Sequence, residues 1–156
     1  MINLTISGRD DLQLHHLLLD MNGTLTTDGL LIEGVAKRLE QLKSKLNIHL
    51  LTADTFGTGA RVSEKLGIEM FTVSVDNGGY DKADFAAALE PSGAIAIGNG
   101  YNDRDMFKQA QLSIAVIGQE GCCIAALLNA DIAVNNINDA LDLLNNPLRL
   151  TASLRR

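Results

Sequence analysis

Hydrophobic residues along this chain fall into short apolar runs separated by amphipathic segments. Leu17, Leu18 and Leu19 form a continuous apolar run, as is typical of a strand buried on both faces. Residues 2–6 instead alternate apolar and polar positions, and the polar cluster 8–11 turns the chain into residues 12–19. This part of the chain therefore predicts a β-hairpin whose second arm ends in the leucine run.

Beyond residue 34 the pattern switches repeatedly between strand and helix. Alternation with short connections predicts right-handed crossovers and a three-layer α/β/α, Rossmann-like, mainly parallel sheet. The predicted strands are 47–51, 68–75, 94–97, 112–117 and 132–134, and the predicted helices are 35–46, 61–66, 82–89, 103–110, 124–128 and 137–144, with a short or frayed helix after Pro147.

Length and composition fit this architecture. The chain has 156 residues, which predicts one domain over residues 1–156 with a substantial buried core. Apolar residues make up 46% of the sequence but aromatic residues only 4%, so the core must be built from Leu, Ile, Val and Ala. Such a mixture is typical of layered α/β packing.

Net charge and the absence of targeting patterns limit the kinds of partner that we expect. The formal net charge is -6 and no Lys/Arg stripe is present, which excludes nucleic acid as an expected partner. The first nine residues lack a signal-peptide pattern and no apolar run reaches membrane-spanning length, so we expect a cytosolic protein with no membrane partner. Cys122 and Cys123 lie in an apolar, predicted helical stretch and are interpreted as small hydrophobes without chemistry.

Candidate chemistry lies where predicted strands end, because ligands of open parallel sheets bind outside the carboxyl ends of the strands. Asp20 directly follows the leucine run and opens the segment Asp20-Met21-Asn22-Gly23-Thr24-Leu25-Thr26. A carboxylate there can act as a nucleophile toward phosphorus and can bind Mg²⁺. The alternative is an ordinary turn built on Asn22 and Gly23.

Two further positions follow the same logic. Thr52 ends the next strand, where its hydroxyl can donate to a phosphate oxygen or simply cap a helix. Lys82 begins a predicted Ala-rich helix, where an ammonium opposes the helix dipole and calls for an anionic partner; a solvated surface lysine is the alternative.

The fourth position is Gly98-Asn99-Gly100-Tyr101-Asn102-Asp103, which follows the predicted strand 94–97. Its glycines permit a tight turn, and Asp103 either caps a helix or helps to hold a cation. All four positions, in this order and each at a strand end, are more specific than any one of them.

Together these segments resemble the four motifs of the haloacid dehalogenase (HAD) superfamily. The wording is most similar to the phosphorylation domain of P-type ATPases, with signatures Asp-Lys-Thr-Gly-Thr and Gly-Asp-Gly-x-Asn-Asp, and the resemblance spans about residues 14–133. It implies a soluble relative rather than a pump. It also implies Mg²⁺, and a sheet in which Asp20 ends the central strand while Thr52 and Gly98 follow its two neighbours.

The resemblance also implies roles for individual residues. Asp20 would be the nucleophile and a Mg²⁺ ligand, the backbone carbonyl of Asn22 a second ligand, and Asn99 or Asp103 would complete the metal site directly or through water. Thr52 would bind a phosphoryl oxygen and Lys82 would neutralise charge between Asp20 and the phosphoryl group. The implied catalytic set is Asp20, Asn22, Thr52 and Lys82, and the implied substrate-binding set is Thr52, Ala53, Lys82, Gly23 and Asn102.

Two residues depart from the superfamily pattern. Phosphatases of the superfamily usually carry an Asp, the general acid and base, at the position of Asn22, and Asn99 replaces the first Asp of the fourth motif. Losing general acid–base catalysis typically costs about 10²- to 10⁴-fold in rate. We therefore expect a slow phosphohydrolase or phosphotransferase that favours substrates with good leaving groups, such as acyl phosphates and nucleoside triphosphates. A catalytically silent domain that binds a phosphorylated ligand or a partner protein is the alternative.

Residues around the motifs set the remaining expectations. Only short stretches, 27–34 and 55–80, are available for inserted structure, so the site should lack a large cap domain. An open site admits a bulky substrate or is covered by a neighbouring subunit of a homo-oligomer, and the sequence leaves both open. The residues interpreted as structural, surface or loop positions are His15, His16, His49, Asp54, Asp76 and Asp81.

Overall fold

The computed structural model describes residues 1–54 and 57–155 of the chain. Thr55, Phe56 and Arg156 lie outside the described residues. The first two begin the stretch 55–80, which was predicted to contain no large inserted domain.

A six-stranded parallel sheet forms the centre of the molecule. The strands of the described residues are β1 Ile2–Leu4, β2 Leu12–Leu14, β3 His16–Asp20, β4 Thr26–Thr27, β5 Leu30–Leu31, β6 Asn47–Thr52, β7 Glu69–Thr72, β8 Ala94–Gly98, β9 Leu112–Val116 and β10 Ile132–Val134. The strand order of the sheet is β10-β9-β8-β3-β6-β7, so β3, which ends at Asp20, lies between β8 and β6.

Helices cover both faces of this sheet. Alternate residues of β3 supply the two cores: Leu17 and Leu19 pack in one cluster, Leu18 in the other. The helices of the described residues are α1 Val35–Leu42, α2 Gly59–Leu66, α3 Gly78–Ala87, α4 Arg104–Gln109, α5 Ile124–Leu127, α6 Ile137–Asn145 and α7 Pro147–Leu154. The first cluster includes apolar residues of α1, α2, α6 and α7, and the second includes residues of α3, α4 and α5. The predicted three-layer fold is confirmed, and the predicted helix after Asn146 is present as Pro147–Leu154.

The predicted N-terminal hairpin is present but shorter than expected. β1 pairs with β2 in antiparallel fashion from Ile2 opposite Leu14 to Leu4 opposite Leu12. The leucine run belongs to β3 in the main sheet and not to the hairpin, because the chain changes partners at His15. The backbone N–H of His15 donates to the carbonyl of Gly93, and its carbonyl accepts from Asn47.

Several boundaries differ from the predicted ones. The largest difference is at α3, which begins at Gly78 instead of Lys82 and therefore places Lys82 in its second turn. α1 ends at Leu42 rather than at residue 46, and β7 is confined to Glu69–Thr72. Cys122 and Cys123 precede α5, and both are half-buried free thiols packed against the second core.

A small β-hairpin formed by β4 and β5 is the structure inserted between β3 and α1. It pairs Thr26 with Leu31 and Thr27 with Leu30. Within the described residues, no helix is both long and apolar enough to cross a membrane.

Candidate active site

Parallel pairing brings the predicted site residues to one edge of the sheet. β3 and β6 pair with Asp20 opposite Leu51, and β3 and β8 pair with Leu19 opposite Ile97. Asp20, Thr52 and Gly98 are thus the last residues of three adjacent strands. This is the arrangement that the resemblance implies.

Lys82 is the centre of the site. Its side chain is fully buried, and its ammonium Nζ lies 2.5 Å from Asp20 Oδ1 and 2.7 Å from Asp103 Oδ1. A solvated surface lysine is therefore the wrong interpretation, and the predicted anionic partners are present. Asp20 ends β3 and Asp103 lies in the turn after β8, so Lys82 of α3 links three segments of the chain.

Asp103 is held in place by the turn that follows β8. The backbone N–H groups of Asn99 and Gly100 donate to its Oδ2 at 2.9 and 2.8 Å. Gly98 is required by this geometry, since a Cβ atom there would lie 2.3 Å from Asp103 Oδ2. With one oxygen on Lys82 and the other on two amides, Asp103 has a fully specified orientation.

Thr24 joins the first and fourth motifs. Its buried hydroxyl Oγ1 lies 3.2 Å from Asp20 Oδ2 and 3.1 Å from Asn99 Oδ1. Gly23 allows this approach: its φ is +78°, and a Cβ atom there would lie 2.3 Å from Asn99 Nδ2. Because Thr24 is fully buried in a polar contact, it belongs to the site, although we did not single it out from the sequence.

The same three oxygens provide a test of whether the residues fit a cation. One hydroxyl proton can satisfy only one of two acceptors, so one contact of Thr24 brings two oxygen lone pairs together at about 3 Å. A hard cation relieves such a contact, and carboxylate and amide oxygens are the donors that Mg²⁺ prefers. No three Asp, Glu, His or Cys side chains converge in the described part of the chain, so the donor set is a mixed one. The residues fit magnesium.

Burial and charge shift the titration of the central pair. Burial, and then the nearby Asp103 carboxylate, raise the pKa of Asp20 to about 6, against the opposing effect of Lys82. For Lys82, burial favours the neutral amine, but the carboxylates of Asp103 and Asp20 outweigh it and raise its pKa above the usual value. The lysine is therefore cationic throughout the physiological pH range.

The other predicted residues are placed less centrally. Thr52 is buried and its Oγ1 accepts from the backbone N–H of Asp54 at 2.9 Å, and Ala53 is half-buried beside it. Asn22 is half-buried, with its Oδ1 3.4 Å from Thr26 Oγ1. Asn102 is exposed and lines a cavity beside the first turn of α3, away from the contacts of Lys82.

A turn after β9 completes the site, and we did not predict it. The carbonyl of Gly121 accepts from Asn99 Nδ2 at 3.0 Å, and the carbonyl of Asn99 accepts from the Cys123 backbone N–H at 2.8 Å. Glu120 in the same turn accepts from the backbone N–H of Asp28, at the tip of the β4–β5 hairpin, at 2.8 Å. The sequence feature that could have indicated this turn is the pair of glycines, Gly118 and Gly121, after the apolar strand Leu112–Val116.

Comparisons with known proteins agree with this architecture. No protein-family model matches the chain. The uncharacterized protein MJ0073 of Methanocaldococcus jannaschii is 56% identical over 61 residues, which cover 39% of this chain and 66% of that protein. A soluble P-type ATPase-like phosphatase of the same organism is 25% identical over 123 residues, which cover 77% of this chain but only 45% of that protein.

Solved structures share the fold across most of the chain. A Streptomyces avermitilis protein described as a HAD family hydrolase superposes with a TM-score of 0.64 at 19% identity, covering 91% of this chain and 84% of that one. A phosphoserine phosphatase has a TM-score of 0.67 at 16% identity, with 85% and 98% covered. The catalytic domain of the CPx-ATPase CopB-B has a TM-score of 0.62 at 27% identity, with 74% and 46% covered.

Proposed function

We propose that this chain, which shares its fold with a HAD family hydrolase and a phosphoserine phosphatase, is a magnesium-dependent phosphohydrolase or phosphotransferase acting through an aspartyl phosphate on Asp20. The observation that carries this proposal is the fully buried Lys82 ammonium between Asp20 and Asp103 at the carboxyl end of the sheet. Phosphoryl transfer depends on positioning and charge stabilisation, and this arrangement supplies both. The similarity to a soluble P-type ATPase-like phosphatase supports the same class of reaction.

The two carboxylate oxygens of Asp20 have different surroundings and so different proposed roles. Oδ1, next to Lys82, attacks phosphorus, and the bond from phosphorus to the leaving-group oxygen breaks with its electron pair going to that oxygen. Oδ2 faces Thr24 and Asn99, on the side proposed for the cation. Water then attacks the phosphorus of the aspartyl phosphate, which releases inorganic phosphate and restores the carboxylate.

Lys82 and Thr52 stabilise the transferring group in this scheme. The ammonium of Lys82 offsets the charge that accumulates between Asp20 and the phosphoryl oxygens. Thr52 receives a backbone N–H at its oxygen, which leaves its own proton available to donate to a phosphoryl oxygen. Ala53 and Gly23 are the adjacent backbone positions proposed to contact the same group.

The residues proposed to hold Mg²⁺ are Asp20, the carbonyl of Asn22, and Asn99 or Asp103. Asp103 has its two oxygens committed to Lys82 and to two amides, whereas Asn99 Oδ1 faces Asp20 Oδ2 across Thr24. This favours Asn99 as the direct ligand and Asp103 as a ligand through water. Bound magnesium supplies neutralisation of phosphoryl oxygen charge.

The proposed substrate is a phosphorylated small molecule, an acyl phosphate or a nucleotide, and the proposed location is the cytoplasm. We would measure Mg²⁺-dependent phosphate release and phosphoenzyme trapping together, with acetyl phosphate, ATP and an aryl phosphate, in the wild type and in Asp20→Asn. A signal that requires both Mg²⁺ and Asp20 supports the proposal. Its absence with all three substrates, in a folded protein, rejects it.

The second candidate is a silent binding domain of the same fold. It is favoured by the side chain of Asn99, whose amide is fixed by the Gly121 carbonyl in place of the usual carboxylate. In that case phosphate or a phosphorylated ligand binds, while the trapping experiment gives no phosphoenzyme.

A further inference from the structure

A cavity of about 420 Å³ lies beside the proposed active site. Two segments form its walls, the end of the loop after β7 with the first turn of α3, and the turn after β8 with the start of α4. α3 continues to Lys82, and Tyr101 and Asn102 immediately precede Asp103. The cavity therefore borders the two segments that carry Lys82 and Asp103, and its volume is within the range of about 300–1,000 Å³ typical of small-molecule sites.

Two exposed aromatic rings lie in this cavity. The chain has two tyrosines and no tryptophan, and both tyrosines, Tyr80 and Tyr101, line the cavity. Their side chains are 70% and 62% exposed, so neither ring is part of a core. Two rings left open to solvent beside a reaction centre are suited to stacking against a planar ligand group.

Arg104 fixes the orientation of one of these rings. Its guanidinium lies 4.8 Å from the centre of the Tyr101 ring and donates to the Tyr101 hydroxyl at 2.8 Å. Two further hydrogen bonds, of 3.0 and 2.7 Å, join it to Asp105. Tyr101 is thereby preorganised, which lowers the entropic cost of stacking.

Charge argues against a second anionic group in the cavity. Asp76 and Asp105 line it together with Arg104, which is already paired with Asp105. Asn77 and Asn102 present side-chain amides that have no hydrogen-bond partner within residues 1–54 and 57–155. Such amides can pair with the donor and acceptor atoms at the edge of a heteroaromatic ring.

We propose that this cavity binds the nucleoside part of a nucleotide substrate, with the base stacked on Tyr101 and Tyr80. The inference rests on the proposed phosphoryl-transfer function, since it identifies which phosphate ester or anhydride reaches Asp20. The cavity would be a specificity site beside the proposed reaction centre at Asp20. The base is recognised by stacking and by the two amides, while the phosphoryl group is recognised at Lys82 and Thr52.

Binding is tested separately from turnover. In the Asp20→Asn protein, which cannot turn the ligand over, the ring ¹H NMR signals of Tyr80 and Tyr101 are followed during titration with the ribonucleoside 5′-monophosphates, with ribose 5-phosphate as the control that lacks a base. We expect the ring signals of both tyrosines to shift with at least one nucleotide, and to shift more than they do with ribose 5-phosphate. Equal responses to the nucleotides and to ribose 5-phosphate would overturn the proposal.

Variants then assign the effect to the rings. Tyr101→Ala should weaken nucleotide binding about tenfold or more, because base–aromatic stacking is lost. Tyr101→Phe, which keeps the ring, should stay within about threefold of the parent protein. Leu148→Ala, a change at an 85% exposed apolar residue of α7, should leave binding unchanged. An equal loss in the Phe and Ala variants, or none in either, contradicts stacking.

Turnover distinguishes this inference from the function on which it rests. If base-dependent binding is found but no phosphoryl transfer occurs, the cavity is a nucleotide site and the proposed reaction fails. If phosphate is released from ribose 5-phosphate as efficiently as from every nucleotide, the reaction stands and the nucleoside site is wrong.

Discussion

At the scale of single residues, the site depends most on Lys82. Its charge is the main compensation for two carboxylates that are removed from water, Asp20 and Asp103. Removing one partner from a buried ion pair leaves an uncompensated buried charge. Lys82 is therefore as important for folding as for the proposed chemistry.

Lys82→Met should lower the free energy of unfolding by about 3–5 kcal/mol at neutral pH. The double variant Lys82→Met/Asp20→Asn should recover part of this loss, because it removes one of the two carboxylates that would then repel each other. Urea unfolding at pH 7 measures both. If the single and double variants are equally destabilised, repulsion between Asp20 and Asp103 is not the cause.

Asn22 is the residue that should limit turnover in the proposed reaction. Asn22→Asp should accelerate hydrolysis of an unactivated phosphate monoester at least tenfold, since a carboxyl group can protonate the leaving group and an amide cannot. Acetyl phosphate, which has a good leaving group, should respond far less. The steady-state rates of both substrates are compared.

The matched control for that change is Asn3→Asp, the same substitution at an exposed position of β1. It should alter neither rate. Unchanged monoester hydrolysis in Asn22→Asp would show that position 22 is not the acid–base position.

The residue scale also shows how far sequence reasoning reached. Asp20 and Asp103 were predicted from positions that follow strands, Lys82 from the start of a predicted helix, and Asn99 from the resemblance. The structure brings these residues together. Thr24 was passed over, because its importance lies in contacts with Asp20 and with Asn99, the latter 75 residues away. A hydrophobic pattern carries no information about such a contact.

At the scale of elements, β3 and β6 are joined near their amino-terminal ends by a histidine pair. His16 Nδ1 lies 3.3 Å from His49 Nε2, with Phe85 of α3 against His49. Glu69 of β7 is on the other side, 3.3 Å from His49 Nδ1. Burial lowers the pKa of both imidazoles below their usual value of 6.5, against smaller opposing effects.

This pair predicts acid sensitivity of the fold. Because the folded-state pKa values are lowered, the unfolded chain takes up protons first as the pH falls below about 6.5, and the free energy of unfolding decreases, by at most about 1.4 kcal/mol per pH unit for each histidine. Denaturant unfolding between pH 7.5 and 5 measures the slope, and His49→Gln should reduce it.

The two slopes should be compared in proteins that also carry Asp20→Asn, so that the protonation of Asp20 does not contribute. The pKa of Asp20 is raised, so its protonation has the opposite sign and stabilises the folded state in acid. An unchanged slope in His49→Gln, measured in this background, would show that the histidine pair does not control the acid response.

Element boundaries were predicted least well, for two physical reasons. Residues 12–19 contain no Gly or Pro, so the pattern does not show where β2 ends and β3 begins; the change of partner at His15 depends on Gly93 and Asn47. The start of α3 at Gly78 was hidden by low helix propensity, since two glycines follow Asn77. Tertiary packing overrides that propensity, because α3 lies against the turn Tyr101–Asp103.

At the scale of the whole molecule, the proposed cation couples segments that are distant in the chain. Its proposed ligands come from the turn after β3 and the turn after β8, and both turns belong to the folded state alone. A ligand that binds only the folded state stabilises it, by about 2.7 kcal/mol when present at one hundred times its dissociation constant. Stability is therefore a measure of the metal site that does not require turnover.

Mg²⁺ should raise the melting temperature of the wild-type protein, with the shift increasing with its concentration. The shift should be lost in Asp20→Asn and reduced in Asn99→Ala, and it should persist in Asn3→Asp, which is remote from the site. Differential scanning fluorimetry at constant ionic strength measures it. Equal shifts in all four proteins would indicate a general salt effect and no specific site.

The Gly121 carbonyl has a consequence for any change at position 99. It accepts a hydrogen bond from Asn99 Nδ2 at 3.0 Å, and an aspartate at position 99 would turn an oxygen toward that carbonyl instead of a donor. Asn99→Asp would thus meet resistance from a backbone atom that no side-chain substitution removes. A carboxylate at this position therefore calls for a rearranged turn from Gly118 to Gly121 as well as for the new side chain.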